Sequence, residues 1–321
     1  NSSQESSLNL DDSGDLKAET GTITPTSITG FGMGSKASIT YGQNEKLDLS
    51  ERSGLGTNKF TITGGTGAIS LIANAAASNT LVGPNKKVEW DINGINSGSI
   101  TDIHLAFTNF QNLIGGTLAD TFAFSDGGSI AGTIDGGTGR NTLDYSNGWT
   151  GNVVANLQTG KTSGVGKTIA NFQIIDGATG GGAGFYNILI GNGGNDLTGG
   201  DGRSNLLDAG GKGSMLQGGD ENDILIGGTT IYDKQTNNHS LIAVMVYWSN
   251  STASYAITAN NLLLGTGVPA LSATTVHSSG VKDALLGHDD SPTDLNLYFG
   301  LGPAKENNDR DEPNGELFEK V

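Results

Sequence analysis

Residues 187–228 read NILIGNGGNDLTGGDGRSNLLDAGGKGSMLQGGDENDILIGG, and their reading decides the fold. Glycine pairs fall at 199, 210, 218 and 227, with a short apolar run between one pair and the next. GGDENDILI at 218–226 fits a nonapeptide G-G-x-G-x-D-x-U-x, where U is a large apolar residue, with Glu221 in place of the third glycine. Glycine permits backbone conformations closed to other residues, the aspartate supplies a carboxylate, and the apolar residue starts a strand aimed at a core. Two stacked loops of this kind offer the six or more oxygens that calcium prefers. With two such units per turn of the chain, loops on one side recur at roughly eighteen residues. On that spacing 191–196 lies beneath 210–214, and 199–204 beneath 218–223. The expected calcium ligands are the carboxylates of Asp196, Asp201, Asp208, Asp220 and Asp223, with Gly191, Gly193, Gly199, Gly210 and Gly218 turning backbone carbonyls inward.

Outward from this stretch, the chain repeats itself. NFQNLIGG at 109–116 recurs as NFQIIDGA at 171–178, and NTL at 79–81 recurs at 141–143; both pairs are offset by 62 residues. EKLDLSERSGLGTNKFTI at 45–62 is a fainter copy of the same strand, glycine loop and strand order. Within each block the strands are short and alternate, as where Phe60 and Ile62 are set against Thr61 and Thr63. Strands this short bury a face only by stacking on copies of themselves, which predicts an all-β fold, a right-handed parallel β-helix or β-roll solenoid. A row of small β-sandwiches is permitted by the same strand lengths.

Composition agrees with an all-β chain. Of 321 residues 52 are glycine and 6 are proline, so the glycines mark turns instead of a collagen or proline-rich period. The formal net charge of −16, with 17 basic residues scattered along the chain, argues against a nucleic-acid partner and for a cation. Cysteine is absent, so neither disulfides nor thiolate metal sites arise. No apolar run approaches the ~18 residues of a membrane-spanning helix. Asn1 is expected to be an internal or processed end, because 8–14 already reads as the middle of a repeat.

The residues at 187–228 resemble the hemolysin-type (RTX) calcium-binding repeats, whose fold is a parallel β-roll. The resemblance covers roughly an eighth of the chain. Ser204 stands at one aspartate position, Ser214 and Met215 lie near another, Asn141 replaces aspartate in GGTGRNTLD at 136–144, and TNKF at 57–60 sits where a metal-binding copy reads NDTF. Fewer calcium ions than loops are therefore expected. LNLDDSGD (8–15), TSITGFGMG (26–34), IDGGTGRNTLDYS (134–146) and DILIGGTTIYD (223–233) are similar to the very large repeat-rich surface proteins of planctomycete-type bacteria. That resemblance implies a secreted, cell-surface or matrix location, and a helical stretch with a closing strand pair after DILIGGTTIYD.

The expected organisation is a β-solenoid of ~62-residue repeats over 1–186, a glycine-aspartate β-roll over 187–230, a cap over 231–302 and a flexible acidic tail over 303–321. In the cap, Leu241, Val244, Met245 and Trp248 fall at helical spacing, and this helix is expected to close the end of the solenoid. Catalytic motifs are missing: there is no G-x-S-x-G, no H-E-x-x-H and no phosphate loop, and the four histidines at 104, 239, 277 and 288 lack ligand spacing. His288-Asp289-Asp290 reads as a surface turn. No catalytic residue is expected. The function expected is a calcium-binding structural or adhesive segment whose partners are calcium, further copies of itself or other surface polymers. Its rivals are the export module of a secreted hydrolase and a surface-layer or filament subunit.

Overall fold

The structure, a computed structural model, describes residues 7–11, 17–42, 46–50, 56–65, 67–287, 295–300 and 317–320. Its described residues are predominantly β, with two short α-helices and long sheets of mainly parallel strands. Contacts divide it into two compact units, 1–142 with 164–172, and 143–163 with 173–321. The 187–230 segment lies within the second. The expected turn at His288 and most of the 303–321 tail lie outside the described residues.

In the first unit, one ladder runs through Thr20–Ile23, Thr57–Ile62, Ser78–Val82, Asn112–Ile114, Ile134–Asp135 and Ile169–Ala170, each parallel to the next. Alternation sets which side chains point inward. In Thr57–Ile62, Asn58, Phe60 and Ile62 are buried while Thr57 and Lys59 are exposed. The register stacks like on like: Phe60 opposes Leu81, Leu81 opposes Leu113, and Leu113 opposes Ile134. A second ladder carries Glu89–Gly94 beside Thr121–Phe124, where Trp90 stacks on Phe122 with centroids 5.3 Å apart and planes 9° from parallel. Both halves of the NFQ repeat turn on an asparagine with positive φ, 66° at Asn109 and 61° at Asn171, and bury the phenylalanine that follows.

The second unit alternates between two ladders along the chain. One carries Ile174–Asp176, Asp196–Thr198, Met215–Gln217 and Ala284–Leu286. The other carries Val153–Asn156, Tyr186–Ile190, Ser204–Asp208, Ile224–Ile226, Leu297–Gly300 and Leu317–Lys320. Tyr186–Ile190 is buried at every position, because both of its faces are covered. Ile188, Leu206 and Ile224 form one cluster with Leu241, Val244, Met245 and Trp248 of helix α1 (His239–Asn250), and with Ala259 and Leu262 of helix α2 (Tyr255–Leu264).

The cap helices sit elsewhere than their sequence predicts. The α1 residues are buried as their spacing predicts, but the helices lie on a ladder's face, because Tyr186–Ile190, Ser204–Asp208 and Ile224–Ile226 present apolar side chains on both sides. Over 274–300, Val276–His277 pairs antiparallel with Thr229–Thr230, and Ala284–Leu286 and Leu297–Gly300 add a further parallel rung to each ladder. The helices are thus inserted between rungs. The α2 helix ends at Gly265 in the left-handed conformation, with its N–H returned to the Asn261 and Leu262 carbonyls.

Candidate metal centre

Several rungs of the second unit carry a buried polar residue two positions before an inward apolar one. In one ladder these are Asn187, Asn205, Asp223 and Asn296, preceding Leu189, Leu207, Leu225 and Tyr298, and all four polar residues are 0% exposed. They bond to one another from rung to rung. Asn187 Nδ2 donates to Asn205 Oδ1 at 2.7 Å, Asn205 Nδ2 donates to Asp223 Oδ1 at 3.0 Å, and the Asp223 N–H donates to Asn296 Oδ1 at 2.8 Å. The spacing of the first two steps is 18 residues. The opposite edge repeats the arrangement with Asn195, Ser214 and Asp283, where the Asn195 N–H donates to Ser214 Oγ at 3.3 Å and the Ser214 N–H to Asp283 Oδ1 at 2.8 Å. In the first unit Asn58 donates to Asn79 at 2.9 Å, and the Asp120 N–H donates to Asn141 Oδ1 at 2.9 Å, both across 21 residues.

This column answers the backbone. A chain that leaves a strand exposes N–H groups with no ladder partner, and the short amide side chain satisfies them locally. Asn205 Oδ1 accepts from the Gly200 N–H at 3.1 Å, and its Nδ2 donates to the Gly200 and Arg203 carbonyls at 3.2 and 3.0 Å. The column went unread in the sequence, although its signal is there: an Asn, Asp or Ser two residues before each inward Leu, Phe or Tyr.

The expected metal ligands divide against this frame. Asp223 belongs to the column, with Oδ1 receiving the Asn205 N–H at 2.7 Å. Asp201 and Asp220 sit in turns stacked one on the other, where the Asp220 N–H donates to Asp201 Oδ1 at 3.3 Å. Asp201 is exposed and Asp220 half-buried. Asp196 faces outward from the start of its strand, in register with Ile174 and Met215. It adds to a row of acids, because burial first, then Asp144 and Asp196, raises the pKa of Asp176. Asp208 points away from the column and is wholly buried; burial first, then the carboxyl of Asp233, pushes its pKa well above the ordinary carboxylate range.

The loops stack in register. Gly193 N–H donates to the Ala209 carbonyl at 3.3 Å and Gly194 N–H to the Lys212 carbonyl at 2.9 Å, while Gly199 N–H reaches the Gln217 carbonyl at 2.8 Å. A Cβ on Gly199 would collide with the Gly218 carbonyl oxygen, and one on Gly210 with the Gly191 carbonyl oxygen. Gly218 leaves room for Asp223 Oδ2. These glycines therefore let backbones touch between rungs, whether or not an ion is bound.

No family model, no curated protein and no solved structure matches this chain. Among the described residues no three His, Cys, Asp or Glu side chains converge as a metal site, and no helix is long and apolar enough to cross a membrane. An ion at these turns would draw its oxygens from pairs of carboxylates completed by carbonyls and side-chain amides.

The acid rows predict an unusual pH response. A carboxyl whose folded pKa is raised, as for Asp120, Asp176 and Asp208, holds its proton more tightly when folded. Its stabilising contribution is complete below the unfolded value of ~3.9 and is lost as pH rises through the folded value. In chelator, the melting temperature is expected to be higher near pH 5 than near pH 7; a melting temperature that rises from pH 5 to pH 7 contradicts the assignment.

Proposed function

We propose that this chain is a calcium-stiffened structural or adhesive segment of a large secreted bacterial surface or matrix protein, and that it carries no catalytic site. Its parallel ladders are the faces of a β-solenoid. The alternation of consecutive strands between two ladders, 174–176 to 186–190 to 196–198 to 204–208, supports that winding. The observation that carries the calcium reading is the stacking of the Asp201 and Asp220 turns on adjacent rungs, which places two carboxylates along one solvent-facing edge. Calcium at extracellular concentrations would neutralise such edges and order the turns after export. Acidic rows along a regular surface suit contacts with further copies of the chain or with other surface polymers.

Melting curves followed by circular dichroism, in chelator and in about 1 mM calcium, test the reading. Binding at ~10 times the dissociation constant adds about 1.4 kcal/mol, which for a unit of this size raises the melting temperature by roughly 3–6 °C. The Asp201→Asn/Asp220→Asn double variant is expected to lose part of that rise. Identical curves with and without calcium for the unaltered chain would remove the metal from the proposal.

A further inference from the structure

Asp208 ends the strand Ser204–Asp208, and Asp233 lies in the turn at 231–234 on the way to α1. Both are buried, Asp208 at 0% and Asp233 at 2% exposure, and their carboxyls lie within hydrogen-bonding reach of each other. Among the described residues neither is paired with a lysine, arginine or histidine. Asp208 Oδ1 accepts the Gly210 N–H at 2.8 Å, but Oδ2 is buried with no hydrogen-bond donor. Asp233 accepts the Thr230 N–H at 3.0 Å and the Thr230 hydroxyl. Two carboxylates facing each other away from water need a proton or a cation between them.

The surroundings favour a cation. Gln158 Nε2 lies 3.0 Å from Asp233 Oδ2 and 3.2 Å from the Gly210 carbonyl oxygen. As placed the amide donates to both oxygens; rotated by half a turn, as an ion between them would require, it presents its oxygen instead. The same corner then offers two carboxylates, a side-chain amide oxygen and a backbone carbonyl, the all-oxygen set that suits a hard divalent ion. Asn156 closes the corner, donating through Nδ2 to the Asp233 carbonyl at 2.7 Å and to Asn238 Oδ1 at 2.8 Å. Asn238 is the residue on which α1 begins, with φ of 51°.

We propose that Asp208, Asp233, Gln158 and the Gly210 carbonyl form a buried calcium site, separate from the acidic turns, that fastens the start of α1 to the ladder. The choice of ion rests on the calcium reading above; the site itself rests on the orphaned carboxylate oxygen. Its consequence is local. Ion binding would order 227–250, and ion loss would release the helix from the face it covers.

Hydrogen exchange with mass spectrometry on the full chain, in chelator and in calcium alone, separates this site from the turns. In the unaltered protein calcium is expected to slow exchange in both 199–224 and 227–250. Asp208→Asn supplies an amide that can donate to Asp233 without an ion, so the variant should keep calcium protection in 199–224 and lose it in 227–250. Gln158→Ala keeps both acids as a second probe, and should need ~10-fold more calcium to protect 227–250. Calcium protection of 227–250 that is unchanged in both variants, or protection confined to 199–224 in the unaltered protein, overturns the buried site while the calcium reading stands. Absence of calcium protection anywhere overturns both.

Discussion

Asn205→Ala is expected to cost about 3–5 kcal/mol of unfolding free energy in the second unit, measured by urea denaturation. The estimate follows from what is stranded. Each buried polar group left without a partner costs ~1–3 kcal/mol, and alanine would strand the Gly200 N–H and the Gly200 and Arg203 carbonyls, and would leave the Asn187 amide with the Ala178 carbonyl as its one acceptor. Asp223 would also lose its side-chain donor. Some of these groups relax toward one another, so the sum falls short of additive. The more telling variant is Asn205→Asp, which keeps the shape and turns the donor into an acceptor facing Asp223 Oδ1 at 3.0 Å. At neutral pH it is expected to destabilise at least as much as alanine, because two carboxylates then abut in a dry column. A cost below ~1 kcal/mol for alanine would mean that water replaces the amide, and the column would lose its structural role.

That column also explains what in the sequence was legible. Strand existence, the parallel stacking of like residues and the helical register of Leu241, Val244, Met245 and Trp248 follow from periodicity alone, since period and burial are local properties. The position of the helices did not follow. Whether an apolar helix covers the end or the flank of a ladder depends on which strands bury both faces. That is told only by the five consecutive buried positions of Tyr186–Ile190 seen beside Leu206 and Ile224. The offset of 62 residues marked real recurrence, yet Leu81 and Leu143 follow the same NTL start in strands of different sheets.

Aspartate and asparagine share one slot in this chain for different reasons, which hides metal ligands among backbone-satisfying residues. In GGTGRNTLD, Asn141 reads as a departure from a calcium motif, but Asn141 Oδ1 accepts the Asp120 N–H at 2.9 Å and its Nδ2 donates to the Asn171 carbonyl at 2.9 Å. Asparagine is both donor and acceptor, so a column of asparagines satisfies itself rung after rung. Aspartate only accepts when ionised, and a column of aspartates would need protons or ions between its members. A single aspartate among asparagines, as Asp223 is between Asn205 and Asn296, limits the buried charge in the column, and on the proposal above any cation would sit at the outer turns and at the Asp208–Asp233 corner.

Gly199→Ala provides the complementary test, with an expected loss of about 3 kcal/mol that is the same in chelator and in calcium. The new Cβ would meet the Gly218 carbonyl oxygen of the neighbouring rung and the side chain of Asn205, whose Cγ lies 2.6 Å from its ideal position. Neither can yield freely. The Gly199 N–H is held by the Gln217 carbonyl at 2.8 Å, and Asn205 is fixed by the column. Overpacking of this kind costs ~1–3 kcal/mol where side chains can shift, and backbone contact across a parallel ladder places it at the upper end. If glycine were needed at 199 chiefly to shape a calcium loop, the cost would appear in calcium and shrink in chelator, where no ion-bound state remains to be lost. Equal losses under both conditions, read from paired urea titrations, would assign this glycine to the close approach of rungs.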